Sequence, residues 1–364
     1  MIRIVGIETS CDETAIGIVA DGRTILSDAV ASSLALHAPY GGVIPEIAAR
    51  SHVETIWDVF HHALEAARIS PEQLDAIAVT QGPGLPGALL IGLAFAKGLA
   101  LALNRPLIPV DHLAAHLYAG EMTDPALELP YIGLVVSGGH TLLCVAHAEG
   151  RYEMLGETKD DAVGEAFDKI AKLLGLGYPG GPAIDRLSDE GRASKELFPR
   201  AHTKGAFDFS FSGLKTAVYH YIQKQKLAQG DGSPQPPRPD DRESRGGPAP
   251  RPEPTGVGLC SQQVADIAAS FQESAVDVLV TKTLRAAQRT GITRVVVGGG
   301  VASNRRLRQR FGEEASAKKL QVVFPPPALC VDNGAMVAGI GFPLLQRGRV
   351  ASLSLNSDPN LCLV

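Results

Sequence analysis

The chain has 364 residues, a length that suits two domains of about 150 residues rather than one small module. Hydrophobic residues make up 45% and charged residues 20%, which excludes a disordered or fibrous chain over most of the length. With 34 basic against 39 acidic side chains and a net charge of −5, coating of nucleic acid by bulk positive charge is excluded too, although a local basic patch is not.

The N-terminus, MIRIVGIETSCDETAIGIVADG, has neither a basic region leading an apolar segment nor the Arg-rich, acid-poor character of a transit peptide. Arg3 to Ile7 predicts a strand, Glu8 to Thr14 a polar turn, Ala15 to Val19 a second strand and Thr24 to Ala29 a third. Ile44 to Arg68 has helical periodicity, and Asp75 to Thr80 is a short buried strand. Gly82-Pro-Gly84 then feeds a helix, and Leu107 to Val110 returns as a strand before Asp111, which can N-cap the helix that follows. The longest apolar stretch, Leu85 to Leu103, is interrupted by Gly87, Gly92, Lys97 and Gly98, so no membrane association is expected. Cys11, Cys144, Cys260, Cys330 and Cys362 are scattered and never spaced as C-x-x-C, which suits a reducing compartment; a soluble, cytoplasmic protein is expected.

At Tyr131 the opening theme recurs: strand Tyr131 to Val136, turn Ser137-Gly-Gly-His-Thr141, strand Leu142 to Ala146. Two similar hairpins in one chain predict a duplicated α/β domain, with lobes at residues 1–130 and 131–364. Helices are expected to dominate from Asp168 to Lys226, around a Gly-rich turn at Gly175 to Pro182. Residues 230–256 contain eight prolines, five glycines and no aromatic, Val, Ile, Leu or Met, the composition of a disordered insertion. A helix from Ser261 to Arg289, a strand from Arg294 ending in Gly298-Gly-Gly300, a helix at Asn304, a strand Gln321 to Phe324 and a helix from Asn333 complete the chain.

Three glycine turns follow strands, at Gly82-Pro-Gly84, Ser137-Gly-Gly139 and Gly298-Gly-Gly300. Each alone is a tight turn, and none is a P-loop or a dinucleotide fingerprint. Jointly they point to a nucleotide held between two similar lobes by backbone N–H groups. His112 and His116, at i and i+4, share one helix face at a spacing that suits one metal ion. The third ligand is open from spacing alone: Asp332, between a strand and a helix, is the best placed by type, and His140 is the runner-up. Asp12 and Glu13 can hold a metal or water in the first hairpin, or simply be turn residues. Asp160, Asp161, Glu165 and Asp168 share a helix start, where the dipole favours acids; Asp168 and Asp185, flanking the Gly-rich turn, suit ribose hydroxyls better. Ser10 and Ser137 lack a serine-hydrolase context, and Cys11 has no His partner in sequence.

The segments GIETSCDETA, HAPYGGVIPEIAARSH, TQGPGLPGALLIGLAFAKGLA, PVDHLAAHLYA, SGGHT, DDAVGEAFDKIAKLLGLGYPGGPAID, FSFSGLKTA, GGGVASNRRLR and CVDNGAMVA together resemble the universal tRNA threonylcarbamoyltransferase family, TsaD in bacteria. The resemblance runs from about Ile4 to Gly341, and the 230–256 stretch interrupts none of its motifs. It implies an actin-like ATPase (ASKHA) fold of two RNase H-like lobes. It implies a metal, iron or zinc, on His112, His116 and Asp332, and an adenylate contacted by Ser137, Gly138, Gly139, His140, Thr141, Asp168, Gly181, Asp185 and Asn304.

The implied reaction moves a threonylcarbamoyl group from threonylcarbamoyl-AMP to the N6 amine of the adenosine 3′ of the anticodon, in tRNAs reading ANN codons, and releases AMP. A mixed carbamoyl-phosphate anhydride is already activated, so orientation and charge stabilisation suffice. Asp12 is taken as the group nearest to a proton acceptor. The implied partners are tRNA, a TsaB-like paralogue of the same fold and a TsaE-like ATPase. Two alternatives of other classes are an actin-like metabolite kinase and a metal-binding, ATPase-like scaffold. The paired histidines favour transfer over a kinase, which would hold magnesium through carboxylates and water.

Overall fold

The structure is a computed structural model that describes residues 1–148, 150–194, 197–200, 203–228 and 259–363. The expected insertion at 230–256 lies outside the described residues. The first sheet contains β1 (Arg3–Glu8), β2 (Glu13–Ala20), β3 (Thr24–Ser32), β4 (Ala76–Gly82) and β5 (Leu107–Asp111), in the order β3-β2-β1-β4-β5. The second contains β6 (Tyr131–Val136), β7 (Thr141–Ala148), β8 (Arg151–Glu157), β9 (Arg294–Gly298) and β10 (Gln321–Val323), in the equivalent order β8-β7-β6-β9-β10. In each sheet the first three strands form an antiparallel meander, while the first, fourth and fifth run parallel. Antiparallel neighbours need only short turns and parallel ones need helical crossovers, so the repeated hairpin extends to a repeated five-stranded unit.

The helices are α1 (Leu34–His37), α2 (Pro45–Ala67), α3 (Pro86–Leu103), α4 (His112–Thr123), α5 (Val163–Leu174), α6 (Gly180–Leu187), α7 (Ser212–Ala228), α8 (Ser261–Thr290), α9 (Arg305–Lys318), α10 (Pro327–Cys330) and α11 (Gly334–Gln346). Alternation along β1 sends Val5 and Ile7 to one face, against Phe60 of α2 and Leu93 of α3, and Ile4 to the other, against α4 and α11. Helices α4 and α11 occupy the layer between the sheets, where Leu117 and Met336 share one core with Ala78, Val135 and Val296. Helix α4 is therefore buried on every side from His112 to Met122, which explains why its sequence has no polar face. By length and composition α3 is apolar enough to cross a membrane, but its Ala88, Leu89, Leu93, Ala96 and Ala100 are buried inside the fold.

Three local expectations change. The edge strand β8 is absent from the sequence reading because Arg151, Glu153, Met154 and Glu157 are exposed and only Tyr152 and Gly156 of the strand are fully buried. Helix α5 starts at Val163, so Asp168 lies inside it, and irregular chain between α6 and α7 buries Phe198, Phe207, Phe209 and Phe211 as core plugs. Asp160 does not serve the helix that follows it in sequence. Its carboxylate accepts the N–H groups of Phe211 and Ser212 and the hydroxyl of Ser212, closing the start of α7 instead.

The chain also crosses back between lobes. Helix α11 lies on β1 and β2 of the first sheet, and residues beyond it line the same sheet, with Ala351 N–H donating to Leu107 and Asp358 N–H to Gln81. The C-terminal residues thus pack physically with the N-terminal lobe.

Candidate metal centre and interlobe cleft

His112 and His116 open α4 directly after β5, and Asp111 caps that helix by accepting the Ala114 N–H at 2.9 Å. Asp332 sits in the turn between α10 and α11. Asn333 caps α11 through the Met336 N–H, and the Asp28 carboxylate of β3 accepts the next two free donors, Gly334 and Ala335 N–H, at 3.0 Å each. Two capped helix ends therefore hold the three side chains. His116 Nε2 lies 3.2 Å and His112 Nε2 3.7 Å from the same Asp332 oxygen. One ligand atom from each residue falls within 4.8 Å of the others.

Among the described residues neither ring nitrogen of His116 has a hydrogen-bond partner, although the side chain is fully buried. A buried imidazole nitrogen aimed at a carboxylate without a hydrogen bond is costly in a protein and natural beside a cation. Two imidazole nitrogens and one carboxylate oxygen fit a divalent transition metal with positions left open.

The electrostatics agree with a site built for positive charge. Burial alone lowers a histidine pKa, yet Glu8 and Asp332 carry His112 up to about 9. Burial raises a carboxyl, yet His112 and His116 hold Asp332 down at about 2. Burial, then Asp12 and Asp332, push Glu13 up to about 9. His140, lowered to about 4 by burial and by His112 and His116, faces the centre but is not in the three-residue cluster.

One residue of the centre escaped the sequence reading. Glu8, the last residue of β1, is completely buried, and its Oε2 lies 3.0 Å from His112 Nδ1. A single acid ending an otherwise apolar strand was the available signal.

The second lobe supplies the opposite wall. In the turn after β6, the His140 N–H donates to Ser137 Oγ and Thr141 Oγ1 accepts the Val163 N–H, so the turn is tied to the start of α5. A Cβ added at Gly138, Gly139 or Gly181 would meet none of the described residues within 4 Å. By contrast, a Cβ on Gly298 or Gly299 would strike the carbonyls of His116 or Val136, so that loop needs glycine for close backbone approach, and Gly299 has φ +93°. Asp168 accepts the Gly180 N–H at 2.7 Å, and burial followed by Asp12 sets its raised pKa; Tyr178, raised by burial, also feels both Asp12 and Asp168. The first hairpin and the Gly-rich turn therefore face each other.

Asp185 and Asn304 lie further along the second lobe and are engaged. Asp185 takes the Arg305 guanidinium at 2.8 Å, while the Asn304 amide caps α9 through Leu307 and donates to Gln272. The Cys11 thiol is pushed well up, first by burial and then by Asp12, which keeps it protonated and inert.

Two equivalent 3-2-1-4-5 sheets, with a His112, His116 and Asp332 cluster that could hold a metal beside one and glycine turns on the other, define an actin-like, two-lobed α/β fold. Solved structures share this fold: full-length HypF in the phosphate- and nucleotide-bound form (TM-score 0.57, 16% identity, 96% of this chain and 47% of that one) and component A of the Acidaminococcus fermentans (R)-2-hydroxyglutaryl-CoA dehydratase (TM-score 0.50, 16% identity, 93% and 97%). The family model of TsaD, tRNA N6-adenosine threonylcarbamoyltransferase, matches residues 24–339. Proteins of that name are 47% identical in Symbiobacterium thermophilum, over 99% of this chain and 96% of the relative, and 49% identical in Anaeromyxobacter sp., over 98% and 99%. The chain belongs to the tRNA N6-adenosine threonylcarbamoyltransferase family. It is an acyltransferase acting on tRNA, and neither the kinase nor the scaffold alternative is favoured.

Proposed function

We propose that the chain takes the threonylcarbamoyl group from threonylcarbamoyl-AMP and places it on N6 of the adenosine 3′ of the anticodon in tRNAs reading ANN codons. The observation that carries this reading is the His112, His116 and Asp332 cluster in electrostatic reach of His140 in the Ser137 to Thr141 turn. The centre would hold iron or zinc, which when bound supplies Lewis acidity toward the leaving phosphate. Backbone donors at Gly138 and Gly139, with Ser137, His140 and Thr141 shaping the turn, would receive the phosphate of the adenylate. Asp168, Gly181 and Asp185 would lie along its ribose. The Asn304 carboxamide, already spent on Leu307 and Gln272, would act by holding the start of α9 against the adenosine.

In the transfer, the N6 lone pair attacks the carbamoyl carbon, the bond from that carbon to the phosphate oxygen breaks, and AMP leaves with the bonding pair. The amine must lose one proton, and Asp12 is its acceptor in this reading. A TsaB-like paralogue and a TsaE-like ATPase would complete the system in the cytoplasm. Val53 and Trp57 of α2 and Leu90 of α3, each more than half exposed, offer apolar surface for such a partner.

The test is a reconstituted reaction with synthetic threonylcarbamoyl-AMP and a tRNA transcript, read by mass spectrometry of the nucleosides. Threonylcarbamoyladenosine should form and should disappear in the His112→Ala, His116→Ala double variant. Unchanged product from that variant would overturn the assignment of the centre.

A further inference from the structure

We propose that Glu8 is a positioning residue: it holds the proton of His112 on Nδ1 and so leaves the Nε2 lone pair of His112 free for the metal. The inference rests on the reading of His112, His116 and Asp332 as metal ligands. Glu8, Thr80 and His112 stand at the carboxyl ends of the adjacent parallel strands β1, β4 and β5 or just beyond, so the sheet itself brings them together across a separation of 104 residues.

The three groups within hydrogen-bond distance of the Glu8 carboxylate can all donate to it. Oε1 accepts the Ser10 N–H at 2.6 Å, and Oε2 accepts the Thr80 hydroxyl at 2.5 Å and faces His112 Nδ1 at 3.0 Å. The side chain is fully buried and closed off from solvent, so it acts through its neighbours. A carboxylate here accepts from Nδ1 and selects the tautomer whose other nitrogen is a ligand. Ser10 Oγ, at 3.4 Å from the same Nδ1, makes a longer and weaker contact than Glu8 does.

Glutamine at this position reverses the tautomer. The Ser10 N–H retains the amide oxygen, because the flipped amide would set two buried donors against each other. The amide NH2 then occupies the place of Oε2 and donates to Nδ1. His112 must accept there and carry its proton on Nε2, the atom that faces Asp332.

The experiment measures zinc affinity and imidazole nitrogen shifts of the full-length protein. In zinc-loaded wild type, histidine-labelled 15N spectra should show Nδ1 of His112 protonated and Nε2 shifted by the metal. Glu8→Gln should bind zinc about 10- to 100-fold more weakly with its melting temperature little changed. Thr80→Val, which leaves the Glu8 and His112 pair in place, should bind within a few-fold of wild type.

Wild-type zinc affinity in a folded Glu8→Gln variant would overturn the role of Glu8 and leave the ligand assignment standing. Should that variant not fold, the wild-type spectrum decides: zinc on Nδ1 overturns the inference. Failure of the wild-type protein to bind zinc or iron would overturn the ligand assignment itself, and this inference with it.

Discussion

Gly6 of β1 and Gly17 of β2 are direct partners in the antiparallel ladder, and both lie beneath the first turn of α11. A Cβ on Gly6 would collide with Ala338 N and Gly334 O, and one on Gly17 with Ala335 N. Gly334 in turn rests on Gly17 N and Ile16. Three glycines thus let a helix lie backbone to backbone on a sheet. That contact sets the height at which Asp332, two residues before Gly334, meets His112 and His116.

Gly17→Ala should therefore destabilise the protein by about 1–3 kcal/mol through overpacking, and should weaken metal binding by lifting Asp332 off its partners. Thermal unfolding and elemental analysis on the same preparation check both effects. Full metal content at a lowered melting temperature would show that α11 can rise without moving Asp332.

Asp28→Ala removes the acceptor for Gly334 and Ala335 N–H and should cost about 1 kcal/mol, in the range of lost helix caps. Asp28→Asn keeps an acceptor oxygen and should be close to wild type in a denaturant titration. Equal stability of the alanine variant would mean that Asn333 alone suffices at this helix start.

His116→Ala removes a buried candidate ligand whose nitrogens have no hydrogen-bond partner among the described residues, so metal content should fall to near background while the fold persists. Elemental analysis with circular dichroism reads both. Gly139→Val should also fold, since a Cβ there has open space around it, but should bind AMP more weakly in calorimetry because it fills the space assigned to the phosphate.

The acid limit of stability should lie in the α8 and α9 contact. Glu273 takes Arg306 through two bonds of 2.6 and 3.0 Å, and Asp277 takes Arg200 and Arg310. Arg306 chiefly lowers the Glu273 pKa; for Asp277, burial works upward but Arg200 and Arg310 outweigh it. Folded values below the unfolded ones mean that this stability is present above about pH 4–5 and is lost as pH falls through the folded values. Glu273→Gln with Asp277→Asn should lower the melting temperature by an amount that is constant from neutrality to pH 5 and shrinks below it. Glu273→Ala should cost about 2 kcal/mol at pH 7.

Local patterns determined much of this protein. The i, i+4 histidines after Asp111, the glycine turns and the two hairpins are short-range features whose geometry follows from helix and strand periods alone. From them came the duplicated lobes and two of the three candidate ligands. The third, Asp332, could be set above His140 only by type; the structure places its oxygen 3.2 Å from His116 Nε2 because α11 is seated on Gly6 and Gly17.

Tertiary structure alone decided which acid serves which partner. Asp160 sits before α5 yet caps α7, and Glu8 orients a histidine 104 residues away. The return of α11 to the first sheet is equally invisible to periodicity. The physical reason is common to all three: a carboxylate or a glycine carries no record of its partner, and the pairing is chosen by which strands the sheet order places side by side.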